Sequence, residues 1–373
     1  MKNIFKKISL FLLAFSILIP FFSLNVLASS QDVSFKARVV EVIAQEDNVH
    51  EDGSIFTQQN LKLKALEGER EGDDFIYTGI SEIEVADAKV YRENDKVFVD
   101  VFVEENGNEL VYLTEYDRSS GVYLLIALFV VVFIAVGRFK GFKSLISLIL
   151  SFVVIIKFII PRILAGNDPF LISLIGGLFI MGLIIYLTEG WKKKSHLAVL
   201  SVLISLLLTL ALSIIFTNLT RLTGMSNEEA IYLIGLGEFS INFKGLLLAG
   251  MLIGAIGVLD DIIIGQIETV ERIREANSNL PPKKVFELAY KIGNTHLGSM
   301  VNTLFLTYAG AALPLLLIFS IGHSSGLDLS RNLNSELITT EIVRTLVGSI
   351  GVIASMPIAT FFGAYGIKKW TKS

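Results

Sequence analysis

Long apolar segments fill the last two thirds of this 373-residue chain and constrain its fold more than any other feature. A helix needs about 20 mostly apolar residues to cross the hydrocarbon layer of a bilayer. Seven segments reach or nearly reach that length. The sequence therefore predicts a polytopic α-helical membrane protein, with about seven transmembrane helices within residues 120–366. The segments are 121–137, 144–164, 171–188, 197–216, 245–264, 298–319 and 344–366.

Composition agrees with a lipid-embedded chain. Charged residues make up 18% of the sequence, against about a quarter in a typical soluble domain. Cysteine is absent, which excludes disulfides and cysteine-ligated metal centres. The sequence also lacks the clustered basic footprint of a nucleic-acid-binding protein. The lipid bilayer is the predicted partner, nucleic acid is not, and no cofactor or metal is predicted.

Basic residues set the predicted orientation in the membrane. They concentrate in loops 138–143, 191–194 and 265–297 and in the tail 367–373, which follow every second predicted span. Loops rich in Lys and Arg stay in the cytoplasm. The C-terminus is therefore predicted to be cytoplasmic and residues 30–119 extracytoplasmic.

The first 28 residues have the three-part pattern of a secretory signal peptide. A basic start at Lys2, Lys6 and Lys7 precedes an apolar run, and Ala28 ends a small-residue exit. The alternative is an uncleaved membrane anchor, which Pro20 makes less favourable. Both interpretations place the following domain outside the cytoplasm.

Residues 30–119 alternate apolar and polar side chains in short runs, as half-buried strands do. Asn106-Gly107 lies between two such runs and predicts a tight hairpin turn. Acidic residues outnumber basic ones 22 to 9 in this region. We predict a small antiparallel β-barrel that serves as an acidic, solvated cap; capture of a solute or cation is the alternative.

The basic loop 265–297 has helical apolar spacing on both sides of Pro281-Pro282. We predict two amphipathic cytoplasmic helices, the second starting at Pro282 and ending at Gly293. They are expected to lie on the inner leaflet. Docking of a cytoplasmic protein is the alternative, and formation of a homo-oligomer is left open.

Small residues share one face of the fifth predicted span, where helices could approach closely. The predicted packing and kink residues are Gly250, Gly254 and Gly257, with Gly310 and Pro314 in the sixth span. Pro314 removes a backbone donor and predicts a kink near Gly310.

Polar side chains near the inner ends of these two spans form the candidate site. Ionisable groups inside a membrane are costly and mark functional sites by default. Asp261 is predicted to be the charged group of a cation or proton site; the alternative is that the aspartates only mark the helix end. The candidate residues are Asp260, Asp261, His296, Ser299, Asn302 and Thr303.

Two further charges are secondary candidates. Lys157 lies deep in the second predicted span, too far along the helix axis for a direct pair with Asp261. It is expected to extend towards the membrane surface, with pairing to Glu238 of loop 217–244 as the alternative.

Two stretches, 254–261 (GAIGVLDD) and 297–315 (LGSMVNTLFLTYAGAALPL), resemble the YibE/F family of bacterial multispanning membrane proteins. The segment 94–99 (NDKVFV) is similar to that family's β segment before the membrane. The resemblance covers about residues 35–320 and implies a protein of the bacterial cell membrane. It implies no substrate or reaction.

Three function classes fit the sequence to different degrees. A transporter or permease for an ion or small solute agrees with the intramembrane aspartates and the predicted kink. A non-transporting envelope protein, which signals or scaffolds through its cytoplasmic helices, is the alternative. An intramembrane hydrolase has least support because no nucleophile and base are paired. The sequence thus predicts a transporter-like protein without catalytic residues.

Overall fold

A computed structural model describes residues 33–49, 53, 55–81, 89–103, 109–236, 240–324 and 333–367. The predicted signal segment, the Asn106-Gly107 turn, Glu238 and the basic tail 368–373 lie outside these residues. Chain contacts divide the structure after Phe129 into two units, which are described separately.

The first unit is an antiparallel sheet whose alternating side chains build one core. Val39, Leu63 and Val97 are among its fully buried residues. The strands lie in the order β3-β2-β1-β4-β5. Their bounds are Val33–Val49 (β1), Ile55–Ala65 (β2), Asp74–Thr78 (β3), Lys96–Val103 (β4) and Glu109–Tyr116 (β5).

The sheet curls so that its two edge strands, β3 and β5, approach one another. Arg70, in the turn before β3, forms an ion pair of 2.8 Å with Glu109 of β5. The predicted antiparallel barrel is therefore present as a half-barrel. Buried Gln59 bonds both backbone groups of Tyr91, and burial raises the pKa of Tyr91 to about 12.

The second unit is a bundle of long helices. Its elements are α1 (Ser119–Val154, which begins in the first unit), a π-helical turn (Ile155–Ile159), α2 (Ile160–Leu164), α3 (Pro169–Glu189), α4 (Lys193–Leu219), α5 (Glu228–Gly235), α6 (Phe243–Ala276), α7 (Pro282–Ala311), α8 (Leu313–Ser324) and α9 (Glu336–Gly366).

Five helices within the described residues are long and apolar enough to cross a membrane: 119–164 taken as one, α3, α4, α6 and α9. The multispanning architecture agrees with the prediction, but the count of seven spans is not confirmed. Predicted spans one and two lie on either side of a kink within α1 at Arg138, whose backbone angles are non-helical (φ 49°, ψ −132°). The predicted sixth span is divided between α7 and α8 by a break at Ala312, two residues before Pro314.

Helices α6 and α9 form the centre of the bundle. Helix α9 packs against α4, α6 and α7, and α6 also packs against α3 and α4. Leu259, Ile263, Val352 and Ala359 are fully buried between them. These positions recur at helical spacing, so burial of one stripe on each helix explains the packing.

Hydroxyl residues line the contact between α4 and α9. A Cβ at Gly351 would lie 3.1 Å from the Thr209 Cβ, so the two backbones come unusually close. Thr209 and Ser213 donate to carbonyls four residues earlier in their own helix. The small side chains therefore allow close packing without hydrogen bonds between the two helices at these positions.

The loop 265–297 continues the two helices around it. Helix α6 runs on to Ala276, and α7 begins at Pro282 as predicted. Arg274 is buried at this bend and donates to the carbonyls of Leu280 (2.6 Å) and Ala364 (3.1 Å). One guanidinium thus fixes the bend to the end of α9.

The predicted helix end at Gly293 is wrong, because α7 continues to Ala311. A Cβ at Gly293 would lie 2.5 Å from the side-chain oxygen of Gln266 on α6. Glycine stands here to let two helices approach, not to end one.

Candidate functional site

A pocket of about 370 Å³ lies between α6, α7 and α9. We call it the Asp261 pocket. Its lining includes three of the predicted site residues: Asp261, His296 and Ser299. The other residues are Ile262, Gly265, Gln266, Thr269, Gly293, Leu297, Met300 and Met356.

Gly293 and Gln266 determine how α6 and α7 meet beside this pocket. The Gln266 side chain is 5% exposed and donates from Nε2 to the Ala289 carbonyl at 2.7 Å. This bond is made one turn before Gly293, where α7 has no side chain. The amide therefore joins the helices and also forms part of the pocket wall.

Asp260 and Asp261 face different surroundings although they are adjacent. Successive residues of an α-helix point about 100° apart. Asp261 is exposed and lines the pocket, whereas Asp260 is partly buried. One oxygen of Asp260 is fully buried and has no hydrogen-bond partner among the described residues. Asp260 also lies within electrostatic range of Asp261 and Glu189.

The remaining predicted ligands do not line the pocket. Asn302 and Thr303 are exposed on α7, and Thr303 donates to the Ser299 carbonyl of its own helix. They follow Ser299 by about one turn, so they continue the polar stripe beyond the pocket. The structure brings together Asp261, His296 and Ser299, and not all six candidates.

Of the two secondary candidates, only Lys157 belongs to the described residues. Lys157 is exposed in the π-helical turn Ile155–Ile159. An extra residue in a helical turn re-aims the side chains within it. Glu238 lies outside the described residues, so its pairing with Lys157 stays a prediction.

The glycines do not make the predicted close helix contacts throughout. A Cβ at Gly250, Gly257 or Gly310 would meet nothing within 4 Å among the described atoms. Gly254 differs, because the hydroxyl of Tyr308 lies 3.0 Å from the Cβ position. The glycine face of α6 is therefore mostly open space.

Sequence reasoning missed an ion network at the same end of the bundle. Lys194 lies 2.9 Å from Glu189 and 2.8 Å from Glu271, and all three side chains are at most 14% exposed. Lys140 also pairs with Glu189, at 3.0 Å. The network brings three of the predicted basic loops to one end of the bundle. Glu189 and Lys194 are neighbours in sequence, but Lys140 and Glu271 are too far from them for spacing to reveal the network.

The Asp261 pocket can hold a cation or exchange a proton. It offers a carboxylate, an imidazole, two hydroxyls and an amide. Asp261 and His296 are two possible metal ligands. Within the described part of the chain, no three His, Asp or Glu side chains gather to hold a metal ion.

Comparisons with known proteins give one match. A family model described as "YibE/F-like protein" matches residues 125–369. No curated protein and no solved structure matches the chain. The match covers the helical unit and leaves most of the β unit outside it.

Proposed function

We propose that this chain, which belongs to the YibE/F-like family, is a membrane transporter for an ion or small solute. The observation that carries the proposal is the Asp261 pocket, with its carboxylate, imidazole and hydroxyl groups between apolar helices. Asp261 is the group that binds a cation or proton, and Ser299 and His296 are further ligands beside it.

The position of these groups supports transport over a purely structural role. An ionisable side chain on a membrane helix is costly and faces a cavity or a partner. Asp261 faces a cavity, and Asp260 directs a second carboxylate into the bundle behind it. Two acidic groups at one level of a helix can receive and release positive charge in turn.

The proposed orientation follows from the ion network. Lys140, Lys194 and Glu271 meet at one end of the helices. Because Lys and Arg concentrate on the cytoplasmic side, we assign this end to the cytoplasm. The β unit then lies outside the cell membrane, the C-terminus lies inside, and the Asp261 pocket is near the inner leaflet.

Flux through purified protein tests the proposal. Proteoliposomes that enclose a pH-sensitive dye are subjected to a potassium diffusion potential, and dye response is recorded with and without Na⁺, K⁺ or Mg²⁺ gradients. We expect proton or cation flux above that of empty liposomes, and its loss in Asp261→Asn.

Glu275→Gln is the matched control for charge removal. Glu275 is on the same helix and pairs with Arg272 at 2.8 Å, away from the pocket. The flux through the Glu275→Gln variant should equal that through the unchanged protein. Equal flux in Asp261→Asn and Glu275→Gln would refute the role of Asp261, and no flux in the unchanged protein would refute transport of these ions.

A second function is favoured by one observation. The ends of α6 and α7 pack on each other and on α9 through Val270, Val285 and Ala364. The outer faces of this packed region are charged and include the exposed pair Lys284–Glu287. It could hold a cytoplasmic protein. A stoichiometric partner that copurifies with the chain and is lost in Lys284→Glu would support this signalling or scaffold function.

A further inference from the structure

A second pocket lies on the same two central helices as the Asp261 pocket. Its volume is about 140 Å³, and its lining includes Gly250 of α6 and Thr340, Glu341 and Arg344 of α9. We call it the Arg344 pocket. Gly250 precedes Asp261 by eleven residues, so the pockets are about 16 Å apart along α6.

The lining of the Arg344 pocket suits a polar occupant. Thr340 is 7% exposed, and its buried hydroxyl has no hydrogen-bond partner among the described residues. Arg344 pairs with Glu341 at 3.1 Å through one terminal nitrogen, while its buried Nε lacks a partner in the described structure. Buried donors without partners are destabilising unless water or a solute bonds them.

Open space lies on both helices between the two pockets. Gly250 and Gly257 of α6 would each meet nothing within 4 Å if they had a Cβ, as far as the structure describes their surroundings. A Cβ at Gly348 of α9 would also meet no described atom within 4 Å, although Gly348 is buried. Arg344 and Gly348 are one turn apart and so share a face of α9, while Met356, about two turns beyond Gly348, lines the Asp261 pocket.

Tyr308 of α7 lies across this space. Its hydroxyl is 3.0 Å from the Cβ position of Gly254, which lies one turn beyond Gly250 on the way to Asp261 along α6. The ring is also within electrostatic range of Arg344 and Glu341. No other side chain among the described residues comes within 4 Å of the Cβ position of Gly254.

We infer that the two pockets are the ends of one route for a small hydrophilic solute, which follows the glycine face of α6 and is closed by Tyr308 over Gly254. This rests on the proposed transport function and supplies its path. Glycine is needed along the face because any side chain would occupy the route. The Arg344 pocket is the entrance on the side away from the ion network.

Thiol labelling tests the route without knowledge of the substrate. The chain has no cysteine, so each introduced cysteine is the sole thiol. Gly250→Cys and Gly257→Cys place thiols where the structure has room. Ile350→Cys is the control, since Ile350 is 43% exposed on the outer surface of α9 between the two levels.

The reagent is a membrane-impermeant, cationic methanethiosulfonate, applied to sealed vesicles from one face at a time. It reacts with the thiolate, which forms in water and not in lipid. Gly250→Cys identifies the face that carries the Arg344 pocket, and it should react about tenfold or more faster than Ile350→Cys.

From that face, Gly257→Cys should react about tenfold more slowly than Gly250→Cys while Tyr308 is present, because the thiol is shielded from water. Tyr308→Ala should remove this difference, and Tyr308→Phe should reduce it. Gel filtration in detergent checks that each variant is folded, and Tyr308→Phe keeps the ring in case Tyr308→Ala does not fold.

Two results would overturn the inference. If Gly257→Cys reacts no faster than Ile350→Cys, even in combination with Tyr308→Ala, then water does not reach the glycine face of α6 and there is no route. Gly257→Cys that reacts as fast as Gly250→Cys in the presence of Tyr308 would show that Tyr308 closes nothing. A labelled route in protein without ion flux would instead refute the transport proposal and leave the groove established.

Discussion

Substitution of Lys194 by Met should destabilise the helix bundle strongly. Lys194 stands between Glu189 and Glu271 at 2.9 and 2.8 Å, and the three side chains are only 11–14% exposed. Loss of one partner from a buried ion pair costs about 3–5 kcal/mol, because the remaining charge stays buried without compensation. Lys140 still pairs with Glu189, so we expect the lower end of that range, about 3 kcal/mol.

A decrease of about 3 kcal/mol in the free energy of unfolding gives a measurable shift in melting temperature. For a domain of this size, 1 kcal/mol corresponds to about 2–4 °C, so Lys194→Met should melt about 6–12 °C lower. Thermal unfolding in detergent, followed by fluorescence or by the loss of the monodisperse gel-filtration peak, measures the shift. All variants are heated at one rate, because membrane proteins often unfold irreversibly.

Two further variants separate the ion network from a general effect of charge removal. Lys193→Met removes the exposed neighbouring lysine and should change stability by about 0.5 kcal/mol or less. Glu271→Gln combined with Lys194→Met should be less destabilising than the sum of the single changes, since it removes one of the uncompensated carboxylates. A melting temperature of Lys194→Met equal to that of Lys193→Met would refute the reasoning.

Three other changes follow from the structure. Gly293→Val should separate α6 from α7 and lower the free energy of unfolding by about 1–3 kcal/mol, because its Cβ would lie 2.5 Å from the Gln266 oxygen. Thermal unfolding measures the change. Gly182→Ala is the control, since a Cβ at Gly182 would meet no described atom within 4 Å. Arg274→Leu should lower the free energy of unfolding by about 3 kcal/mol, because two charge-assisted hydrogen bonds are lost. The rate at which added protease cleaves the bend at 277–281 should rise as well. An unchanged cleavage rate would contradict the role of Arg274 in holding this bend. In the folded state Tyr91 has a pKa of about 12, whereas an unfolded tyrosine has a pKa near about 10, so the stability of the β unit should fall as the pH rises between these values. The difference in tyrosinate absorbance between the unchanged protein and Tyr91→Phe measures the titration of Tyr91. A pKa of Tyr91 near the ordinary value would contradict the burial of its ring.

Local patterns were sufficient for the main architecture. The apolar segments and the period-two runs predicted a multispanning helical unit and an antiparallel β unit, because burial acts on each segment separately. The helix start at Pro282 was also predicted, since proline has a strong local preference there.

Tertiary contacts explain what the sequence could not show. A glycine at position 293 is typical of a helix end, but in the structure it makes room for the Gln266 side chain between α6 and α7. Gly250 and Gly257 have the signal of close packing but face open space. A glycine reports only that a side chain is absent, and whether a helix, a cavity or a turn uses that absence depends on the fold.

The candidate site was predicted in part for the same reason. Asp261, His296 and Ser299 meet because α6 and α7 are antiparallel neighbours. Helical periodicity gave the correct levels but not the rotation of α7, so Asn302 and Thr303 were also included. Gln266 and Thr269 complete the pocket; Thr269 lies about two turns beyond Asp261, whereas Gln266, five residues on, is rotated about 140° from it and so falls outside a simple helical stripe.

The hydroxyl contact between α4 and α9 has a mechanical consequence. Thr209 and Ser213 of α4 donate to carbonyls of their own helix, and Gly351 of α9, which meets Thr209, has no side-chain donor. At these positions the two surfaces are held together by dispersion and shape, with small residues in place of interlocking ones. Such a contact can slide by a fraction of a helical turn without breaking a hydrogen bond between α4 and α9, whereas the ion pair between Lys194 of α4 and Glu271 of α6 holds those two helices in register.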